Sequence, residues 1–373
     1  MTRALVAVLC GYGVFGRRIA ANLARHPELE LLIAGRDREA ATAFAQELGP
    51  QQVRPFAMDA TAPGDIRRLF DARPALIVDT VGPFQSRDFD LARCCIEAGI
   101  HYIDIADSRT RVASIVELDA AARARGVCII SGASTVPALS TAIVDALAPD
   151  ARKVLEIDIG ITPGHRAPRG PATVGAILSY CGRPIPPLPG HAREYGWGAL
   201  SRHAYPEPVG TRWLSNVDTP ERLLWAARYP CLRQASVKAG LGIGCLHLAL
   251  STWSRGVRAH LLPSPGRFVP FVLRVADAFD RFGTDSGAMH VRVMVADDAK
   301  GAVERLGTIV ATAGDGPQIP SAPAAILAKR LLAVPGYRPL TLRGAMPCIG
   351  LLTLDEILAE LERFSVRYSS GGT

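Results

Sequence analysis

Short apolar runs alternate with amphipathic stretches along the first 130 residues. The apolar runs cover residues 5–9, 31–34, 75–79, 101–104 and 127–130, and most are rich in the residues that strands favour. The stretches between them, residues 17–25, 38–48, 62–70, 89–98 and 112–125, repeat apolar positions with a helical period. Strands that alternate with helices in this way predict βαβ units, and hence an α/β domain with a doubly wound parallel sheet.

The pattern changes after Gly132. Residues 154–161 and 290–296 alternate apolar and polar positions, as the half-buried strands of an antiparallel sheet do. Residues 163–210 are too rich in proline and glycine for long regular elements. We therefore predict a second, α+β domain with a mixed or antiparallel sheet. Residues 354–364 have the pattern of an amphipathic helix, and a disordered tail is expected from about residue 369.

The length of the chain also favours two domains. It has 373 residues, whereas single cores seldom grow beyond about 250–300 residues. We predict an N-terminal domain over residues 1–134 and the α+β domain over 135–335. The C-terminal segment, 336–373, is expected to pack back towards the N-terminal domain.

The net charge of +7 comes almost entirely from arginine, since only four of the 42 basic residues are lysines. These arginines are spread along the chain, with no basic block and no basic run interleaved with aromatic residues. The distribution argues against nucleic acid as a partner and favours a small anionic ligand.

The eight cysteines include no C-x-x-C pair, so the sequence predicts neither a disulfide framework nor a zinc site. The histidines have no ligand spacing either, and no metal is predicted. The N-terminal apolar run is short and lacks a cleavage site, which argues against a signal peptide and favours the cytoplasm. The longest uncharged stretch, 239–254, is too short to insert across a membrane, although with residues 268–273 it marks a candidate apolar surface.

Three glycines follow the first predicted strand in the pattern Gly11-x-Gly13-x-x-Gly16 and open the first predicted helix. In a dinucleotide-binding loop, the first glycine permits a tight turn and the second lets the backbone approach a diphosphate. The third lets the helix pack against the strand. The position of the loop favours a nucleotide site, of the kind found in Rossmann domains. The alternative is a glycine-rich turn with no ligand.

The residue about 20 positions further on decides which nicotinamide cofactor such a loop prefers. Here it is Arg36, followed by Asp37 and Arg38. A guanidinium cannot accept hydrogen bonds from ribose hydroxyls but can bind a 2′-phosphate through two donors. Arg36 therefore favours NADP(H). The alternative is that Arg36 is a solvated loop residue and Asp37 binds the ribose.

Several motifs together resemble the saccharopine dehydrogenase-like NADP-dependent oxidoreductases. They are the glycine loop, Ala34-Gly-Arg36, Asp59 after a third short strand, Val81-Gly-Pro-Phe84, CIEAGIHYID at 95–104, GASTVP at 132–137, RGPAT at 169–173, GDGPQIP at 314–320 and GAMPCIG at 344–350. The resemblance covers most of the chain. It implies a Rossmann domain, a second domain whose sheet supports substrate binding and dimerisation, and NADPH chemistry on carbon–nitrogen or related bonds.

The resemblance also implies positions for the cofactor. The residues expected to contact it are Gly11, Tyr12, Gly13, Val14, Phe15 and Gly16 at the diphosphate, Arg36 and Asp37 at the adenosine phosphate, Asp59 and Ala60 near the adenine, and Val81, Gly82 and Pro83 at the nicotinamide ribose. The family often has a polar residue before the Gly-Pro pair, whereas this chain has Val81 there. A plain strand-ending turn is the alternative for this pair.

Hydride transfer also needs a group that handles a proton. Alternation along the strand at 101–104 places Tyr102 and Asp104 on one face and His101 on the other. Asp104 and Asp107, near the carboxyl end of this strand, are the candidate catalytic residues. The alternative is that they cap the helix that begins near Ser108.

Ser134, Thr135 and Thr173 are the predicted substrate-binding residues. Ser134 and Thr135 lie where the chain crosses between the predicted domains, a common place for a substrate cleft. Thr173 lies in the proline- and glycine-rich region, where loops carry binding residues. For Ser134 and Thr135 the alternative is capping of a helix over residues 138–147.

Two functions remain open at this point. One is an NADPH-dependent oxidoreductase that reduces an imine, a carbonyl or an activated alkene of a small organic substrate, including carboxylate-bearing ones, and forms a homodimer. The other is a non-catalytic dinucleotide-binding protein that senses redox state or associates with a membrane surface. The apolar stretch 239–254 favours the second function.

Overall fold

A computed structural model describes residues 3–190, 193–299 and 301–372. The chain divides into two compact units. The first contains the residues up to Leu139 together with Gln318–Leu351, and the second contains Ser140–Pro317 and the residues from Leu352 onward.

The regular elements are as follows. The strands are β1 Ala4–Leu9, β2 Leu29–Gly35, β3 Val53–Ala57, β4 Leu76–Asp79, β5 His101–Asp104, β6 Cys128–Ser131, β7 Val154–Thr162, β8 Pro184–Ile185, β9 Glu194–Tyr195, β10 Ser201–Ala204, β11 Thr211–Asn216, β12 Gln234–Ala239, β13 Gly287–Asp297, β14 Gly301–Ala311, β15 Gly344–Pro347 and β16 Val366–Gly372. The helices are α1 Gly16–Leu23, α2 Arg38–Leu48, α3 Pro63–Asp71, α4 Asp90–Ala98, α5 Arg109–Ser114, α6 Asp119–Ala124, α7 Ser140–Leu147, α8 Pro171–Ser179, α9 Glu221–Arg228, α10 Gly244–Arg258, α11 Val269–Ala278, α12 Gln318–Leu331 and α13 Leu354–Leu361.

The first unit is built on a seven-stranded sheet in the order β15-β6-β5-β4-β1-β2-β3. Every neighbouring pair in it is parallel. The central strands are buried on both faces; Val6, Val8 and Ile33, for example, are fully buried, as expected where helices cover both sides of a parallel sheet. The prediction of a doubly wound parallel sheet is confirmed.

Five of the seven strands match the predicted apolar runs, the family resemblance places β3 before Asp59, and β15 is predicted by neither. It adds to the edge of the sheet beside β6, with Gly344 opposite Cys128 and Pro347 opposite Ser131. A glycine and a proline in four residues are a turn signal, but an edge strand tolerates both. The pairing comes from tertiary contact, so local pattern could not reveal it.

The second unit contains a seven-stranded mixed sheet in the order β10-β11-β12-β7-β13-β14-β16. Strands β12 and β7 are parallel, and the other neighbours are antiparallel. Ile157, Ile159, Val291 and Val293 are buried on one face of this sheet. The prediction of a second domain with a mixed or antiparallel sheet is confirmed.

The prediction of a disordered tail from residue 369 is wrong. Residues up to Gly372 belong to β16, which pairs antiparallel with β14, with Tyr368 opposite Ile309 and Ser369 opposite Thr308. A neighbouring strand satisfies the backbone groups of a serine- and glycine-rich segment that has no strand pattern of its own. Thr373 lies outside the described residues.

The unit boundaries differ from the predicted domains in the C-terminal third. Helix α12 falls in the first unit, where it packs against α1. Its buried Lys329 donates a 3.0 Å hydrogen bond to Asn22 of α1. The predicted segment 336–373 is split, because β15 belongs to the first unit and β16 to the second.

Candidate functional site

The glycine loop turns the chain from β1 directly into α1. Cys10 makes the turn with a φ of 54°. The Gly11 N–H donates a 3.1 Å hydrogen bond to the Ala34 carbonyl of β2, and the Gly13 N–H donates one of 2.8 Å to the Cys10 carbonyl. These bonds fix the loop at the carboxyl end of the two central strands.

Two of the glycines are required by close packing. A Cβ at Gly16 would lie 2.2 Å from the Cys10 carbonyl oxygen and 2.8 Å from Thr80 Oγ1, and a Cβ at Gly11 would lie 2.8 Å from the Val8 carbonyl oxygen. The Thr80 hydroxyl donates a 2.7 Å hydrogen bond to the Leu9 carbonyl, which holds the end of β4 beside the loop. Helix α1 therefore starts as close to the sheet as the backbone allows.

The loop also presents free donors. Among the described residues, none accepts a hydrogen bond from the backbone N–H of Val14, Phe15 or Gly16. These groups lie at the N-terminus of an eight-residue helix, where the helix dipole favours negative charge. Free N–H groups on a glycine loop before a helix suit a diphosphate, so the residues present fit the dinucleotide that the motif predicts.

Tyr12 packs between this loop and the end of β2. Its ring occupies the space beside Gly35, where a Cβ would lie 2.4 Å from Tyr12 Cε1. Its hydroxyl oxygen accepts a 2.9 Å hydrogen bond from the Asp37 N–H. The Asp37 carboxylate in turn accepts a 3.0 Å bond from the Ala40 N–H and caps α2. The structure thus gives Asp37 a helix-capping function, while the neighbouring Arg36 is exposed.

Arg36 and Asp59 lie near each other at the carboxyl ends of β2 and β3. Hydrogen bonds from the Thr61 side chain and backbone, together with the charge of Arg36, lower the pKa of Asp59. The Asp59 N–H donates a 2.7 Å hydrogen bond to Asp65, and Ala60 packs against the core. The structure therefore gathers the predicted adenosine-site residues at one edge of the sheet.

Strand β4 ends in a fully buried carboxylate, Asp79, which the sequence analysis did not single out. It accepts hydrogen bonds of 2.9 Å from the Val81 N–H, 2.7 Å from Arg87 Nη1 and 2.9 Å from the Tyr102 hydroxyl. Arg87 also donates a 2.8 Å bond to the Val81 carbonyl. Asp79 and Arg87 together hold the start of the Val81–Pro83 segment that is predicted to border the nicotinamide ribose.

Asp104 is part of the same buried network rather than of an open site. Its carboxylate accepts hydrogen bonds of 3.1 Å from Arg111 Nε, 2.7 Å from the Ser131 hydroxyl and 3.0 Å from the Gly132 N–H. It is fully buried and lies 3.3 Å from the Tyr102 hydroxyl, which confirms that these two side chains share a face. A carboxylate enclosed in this way positions the strand ends and is a poor proton donor to a substrate.

The network balances its charges inside the unit. Two carboxylates, Asp79 and Asp104, face two guanidiniums, Arg87 and Arg111, around one phenol. Burial, followed by the charges of the two carboxylates, raises the pKa of Tyr102 well above its ordinary value. A carboxylate in a buried strand needs cations or hydrogen-bond donors as partners. The aspartate at the end of the apolar run 75–79 was therefore a signal in the sequence for a buried, paired carboxylate.

Asp107 is exposed beyond the end of β5. Its Oδ1 accepts a 3.0 Å hydrogen bond from Gln85 Nε2, and Gln85 lies in the turn directly after Pro83. The structure therefore brings Asp107 next to the predicted nicotinamide end. His101 lies at the opposite, amino end of β5, where its Nδ1 accepts a 2.9 Å bond from the Cys128 N–H.

Ser134 and Thr135 follow β6 and lie at the same carboxyl edge of the first unit, half-buried in a wide turn over Thr135–Leu139. This turn runs directly into α7, which begins at Ser140. Thr173 lies on α8 in the second unit.

Comparison with known proteins agrees with this geometry. Residues 7–130 match the family model described as the saccharopine dehydrogenase NADP binding domain. A search of curated protein sequences gave no match.

Among solved structures, the chain is similar to a saccharopine dehydrogenase (L-Glu forming) from Saccharomyces cerevisiae, with a TM-score of 0.65, 11% identity and 100% of both chains covered. GenD2 from gentamicin A biosynthesis, solved with NAD, has a TM-score of 0.44 and 16% identity over 97% of this chain and 92% of its own. A dehydrogenase from Chromobacterium violaceum has a TM-score of 0.39 and 11% identity over 83% and 75%. At this identity the yeast structure shows a shared fold.

The loop, the sheet and the family match together define a nicotinamide dinucleotide-binding protein of the oxidoreductase class. The match of residues 7–130 to the saccharopine dehydrogenase NADP binding domain confirms the resemblance that the motifs predicted.

Proposed function

We propose that this protein is an NADPH-dependent oxidoreductase that transfers a hydride to the carbon of an imine in a small organic substrate, including carboxylate-bearing ones. A carbonyl or an activated alkene is the next choice of acceptor. The observation that carries the proposal is the set of N–H groups at Val14, Phe15 and Gly16, which donate to no described residue, with an exposed Arg36 beyond them. This set lies within the domain that matches the NADP-binding family.

Each part of the cofactor has residues suited to it. The loop N–H groups would hold the diphosphate, and the Arg36 guanidinium would bind the 2′-phosphate through charge-assisted hydrogen bonds. Val81, Gly82 and Pro83 at the end of β4 would border the nicotinamide ribose, since ligands of such sheets collect at the carboxyl ends of the strands. When bound, the reduced nicotinamide supplies the hydride.

We assign the proton to Asp107. Addition of a hydride to the imine carbon leaves charge on the nitrogen, which must receive a proton. Asp107 is exposed and touches Gln85 beside the proposed nicotinamide end, whereas Asp104 is fully buried and enclosed by five donors. Asp104 acts as a positioning residue for the strand ends.

Transfer of label tests the reaction class. The protein is incubated with NADPH deuterated at either face of the nicotinamide C4, together with sets of imines, ketones and enones. Deuterium in the product is measured by mass spectrometry. We expect label from one face only, in an amine product. Saturable NADPH binding without transfer to any set would contradict the catalytic proposal and favour the non-catalytic alternative.

Replacement of Asp107 by Asn tests the proton assignment. General acid catalysis typically contributes about 10²–10⁴-fold, so we expect kcat to fall by about a hundredfold or more while NADPH affinity is unchanged. Asp71→Asn removes an exposed carboxylate from α3 and serves as the matched control. Equal activity of both variants would remove Asp107 from the mechanism.

A further inference from the structure

The second unit carries an apolar surface that none of the described residues of this unit covers. It is formed by α10, the loop after it, α11 and the turn that ends at Phe282, and we call it the 244–282 hairpin. Helix α11 reads VPFVLRVADA, and none of its ten residues is buried. A helix with this composition normally buries one face.

Six large apolar side chains of the hairpin are exposed. Leu261 is 80% exposed, Phe282 63% and Phe271 59%, and Leu248, Leu262 and Phe268 are exposed as well. Single exposed apolar residues are normal, but six within 35 residues form a concentration that marks an interaction surface.

The hairpin is an ordered structure with internal contacts. The Leu261 N–H donates a 2.9 Å hydrogen bond to the Gly256 carbonyl, and Trp253 Nε1 donates one of 2.9 Å to the Pro263 carbonyl. The rings of Trp253 and Phe268 lie 6.0 Å apart. These contacts within the hairpin hold its exposed loop and α11 in a defined arrangement.

The hairpin also carries net positive charge. The hairpin contains five arginines, Arg255, Arg258, Arg267, Arg274 and Arg281, against two acids, Asp277 and Asp280. Both acids contact Arg169, which lies outside the hairpin. On the exposed side of α11, Arg274 lies one turn from Phe271. The surface therefore combines exposed aromatic and leucine side chains with net positive charge.

We propose that the 244–282 hairpin docks on the surface of an anionic lipid bilayer. Apolar side chains interleaved with arginines suit the boundary between acyl chains and acidic headgroups. A second copy of the chain is disfavoured as the occupant, because a twofold contact would bring the arginine sets of both copies together. Among the residues that the structure describes, we find no helix with the length and hydropathy that a bilayer crossing requires. The hairpin lies on the membrane surface, and this inference does not depend on the proposed reaction.

Vesicle co-sedimentation tests the inference with the full chain. Vesicles of phosphatidylcholine in which phosphatidylglycerol makes up about a third of the lipid are compared with vesicles of pure phosphatidylcholine. We expect binding to the anionic vesicles only, weakened at high salt. The double variants Leu261→Ser/Phe271→Ser and Arg267→Glu/Arg274→Glu should each reduce the partition coefficient about tenfold or more. Leu223→Ser, at an exposed leucine of α9 outside the hairpin, should bind like the wild type.

NADPH affinity and the melting temperature show whether each variant is folded. A folded wild-type protein that fails to bind anionic vesicles overturns the inference, and so does equal binding of all folded variants. Sedimentation velocity measures the oligomeric state and tests the inference independently. A concentration-dependent dimer that Leu261→Ser/Phe271→Ser abolishes would assign the hairpin to self-association and would also overturn the inference.

Discussion

At the scale of single residues, Gly16 shows how little space the loop leaves. A Cβ there would lie 2.2 Å from a backbone oxygen, whereas a Cβ at Gly64 on α3 would meet nothing within 4 Å. We expect Gly16→Ala to lower the free energy of unfolding by about 1–3 kcal/mol, because α1 must move away from the sheet. The displaced N–H groups should also weaken NADPH binding. Gly64→Ala should leave NADPH affinity unchanged and stabilise the fold by up to about 1 kcal/mol.

Chemical denaturation and NADPH fluorescence titration on the two glycine variants check this prediction. Equal NADPH affinity in Gly16→Ala and Gly64→Ala would show that the loop does not hold the cofactor.

Arg36 is predicted to distinguish NADPH from NADH. Hydrogen bonds to a charged group are worth about 1.5–3 kcal/mol, so Arg36→Ala should raise the Kd for NADPH about 10- to 100-fold. The Kd for NADH should change by no more than about twofold, since NADH has no 2′-phosphate. Arg125→Ala, which removes an exposed arginine near the amino end of β6, is the matched control. Equal losses for both cofactors would show that Arg36 does not bind the 2′-phosphate.

The sequence predicted the glycine loop because the spacing of its residues follows from local geometry. It did not predict the burial of Asp104. Alternation correctly placed Tyr102 and Asp104 on one face of β5. Which face is enclosed depends on Arg111 and Ser131 from later elements, and that information is not local.

At the scale of elements, the network around Arg111 ties α5 to the ends of β4 and β5. Arg111 donates to Asp104 and to the Tyr102 hydroxyl, and its side chain is almost completely buried. Arg111→Met would leave Asp104 without its cation, and breaking a buried pair in this way costs about 3–5 kcal/mol. Arg93→Met, at an exposed ion pair with Asp90, should cost no more than about 1 kcal/mol.

Urea unfolding of Arg111→Met and Arg93→Met measures the difference. Similar midpoints for the two variants would contradict the structural importance assigned to the network.

Elements with a strong local pattern were predicted well, and elements made by pairing were not. Helix α2 and strand β5 have the predicted bounds, because their apolar positions follow one period throughout. Strands β15 and β16 contain glycine, proline or serine and exist because an open sheet edge is available to each. The predicted helix over 112–125 is divided into α5, a turn and α6.

At the scale of the whole molecule, stability is expected to fall in mild acid. His247 is fully buried, and burial lowers its pKa to about 4. An unfolded histidine has a pKa of about 6.5, so between these values the unfolded chain binds more protons than the folded one. The free energy of unfolding should therefore decrease as the pH falls from about 6.5 towards 4.

His247→Gln tests the origin of this slope. His247 accepts a 3.3 Å hydrogen bond from the Leu241 N–H and lies 3.0 Å from the Ser215 hydroxyl, and a glutamine amide can accept and donate in the same way. Denaturation at pH 7 and pH 5 should show a smaller loss of stability in His247→Gln than in the wild type. The exposed His260→Asn should behave as the wild type, and an unchanged slope in His247→Gln would place the acid sensitivity elsewhere.

The division into a parallel-sheet unit and a mixed-sheet unit follows from the change of period after Gly132, and the sequence predicted it. The sequence could not show that the C-terminal third is divided between the two units. Elements α12, β15 and β16 have no local pattern that identifies the element each of them packs against. The homodimer, the cytoplasmic location, and the substrate roles of Ser134, Thr135 and Thr173 stay predictions.

The central claim is that the loop N–H groups and Arg36 together form an NADP(H) site. Titration of the wild-type protein with NADPH and, in parallel, with NADH tests it most directly, with nicotinamide fluorescence as the signal. The structure predicts saturable binding of one NADPH per chain, at least about tenfold tighter than binding of NADH. No saturation by either nucleotide at millimolar concentration, or tighter binding of NADH, would contradict the claim.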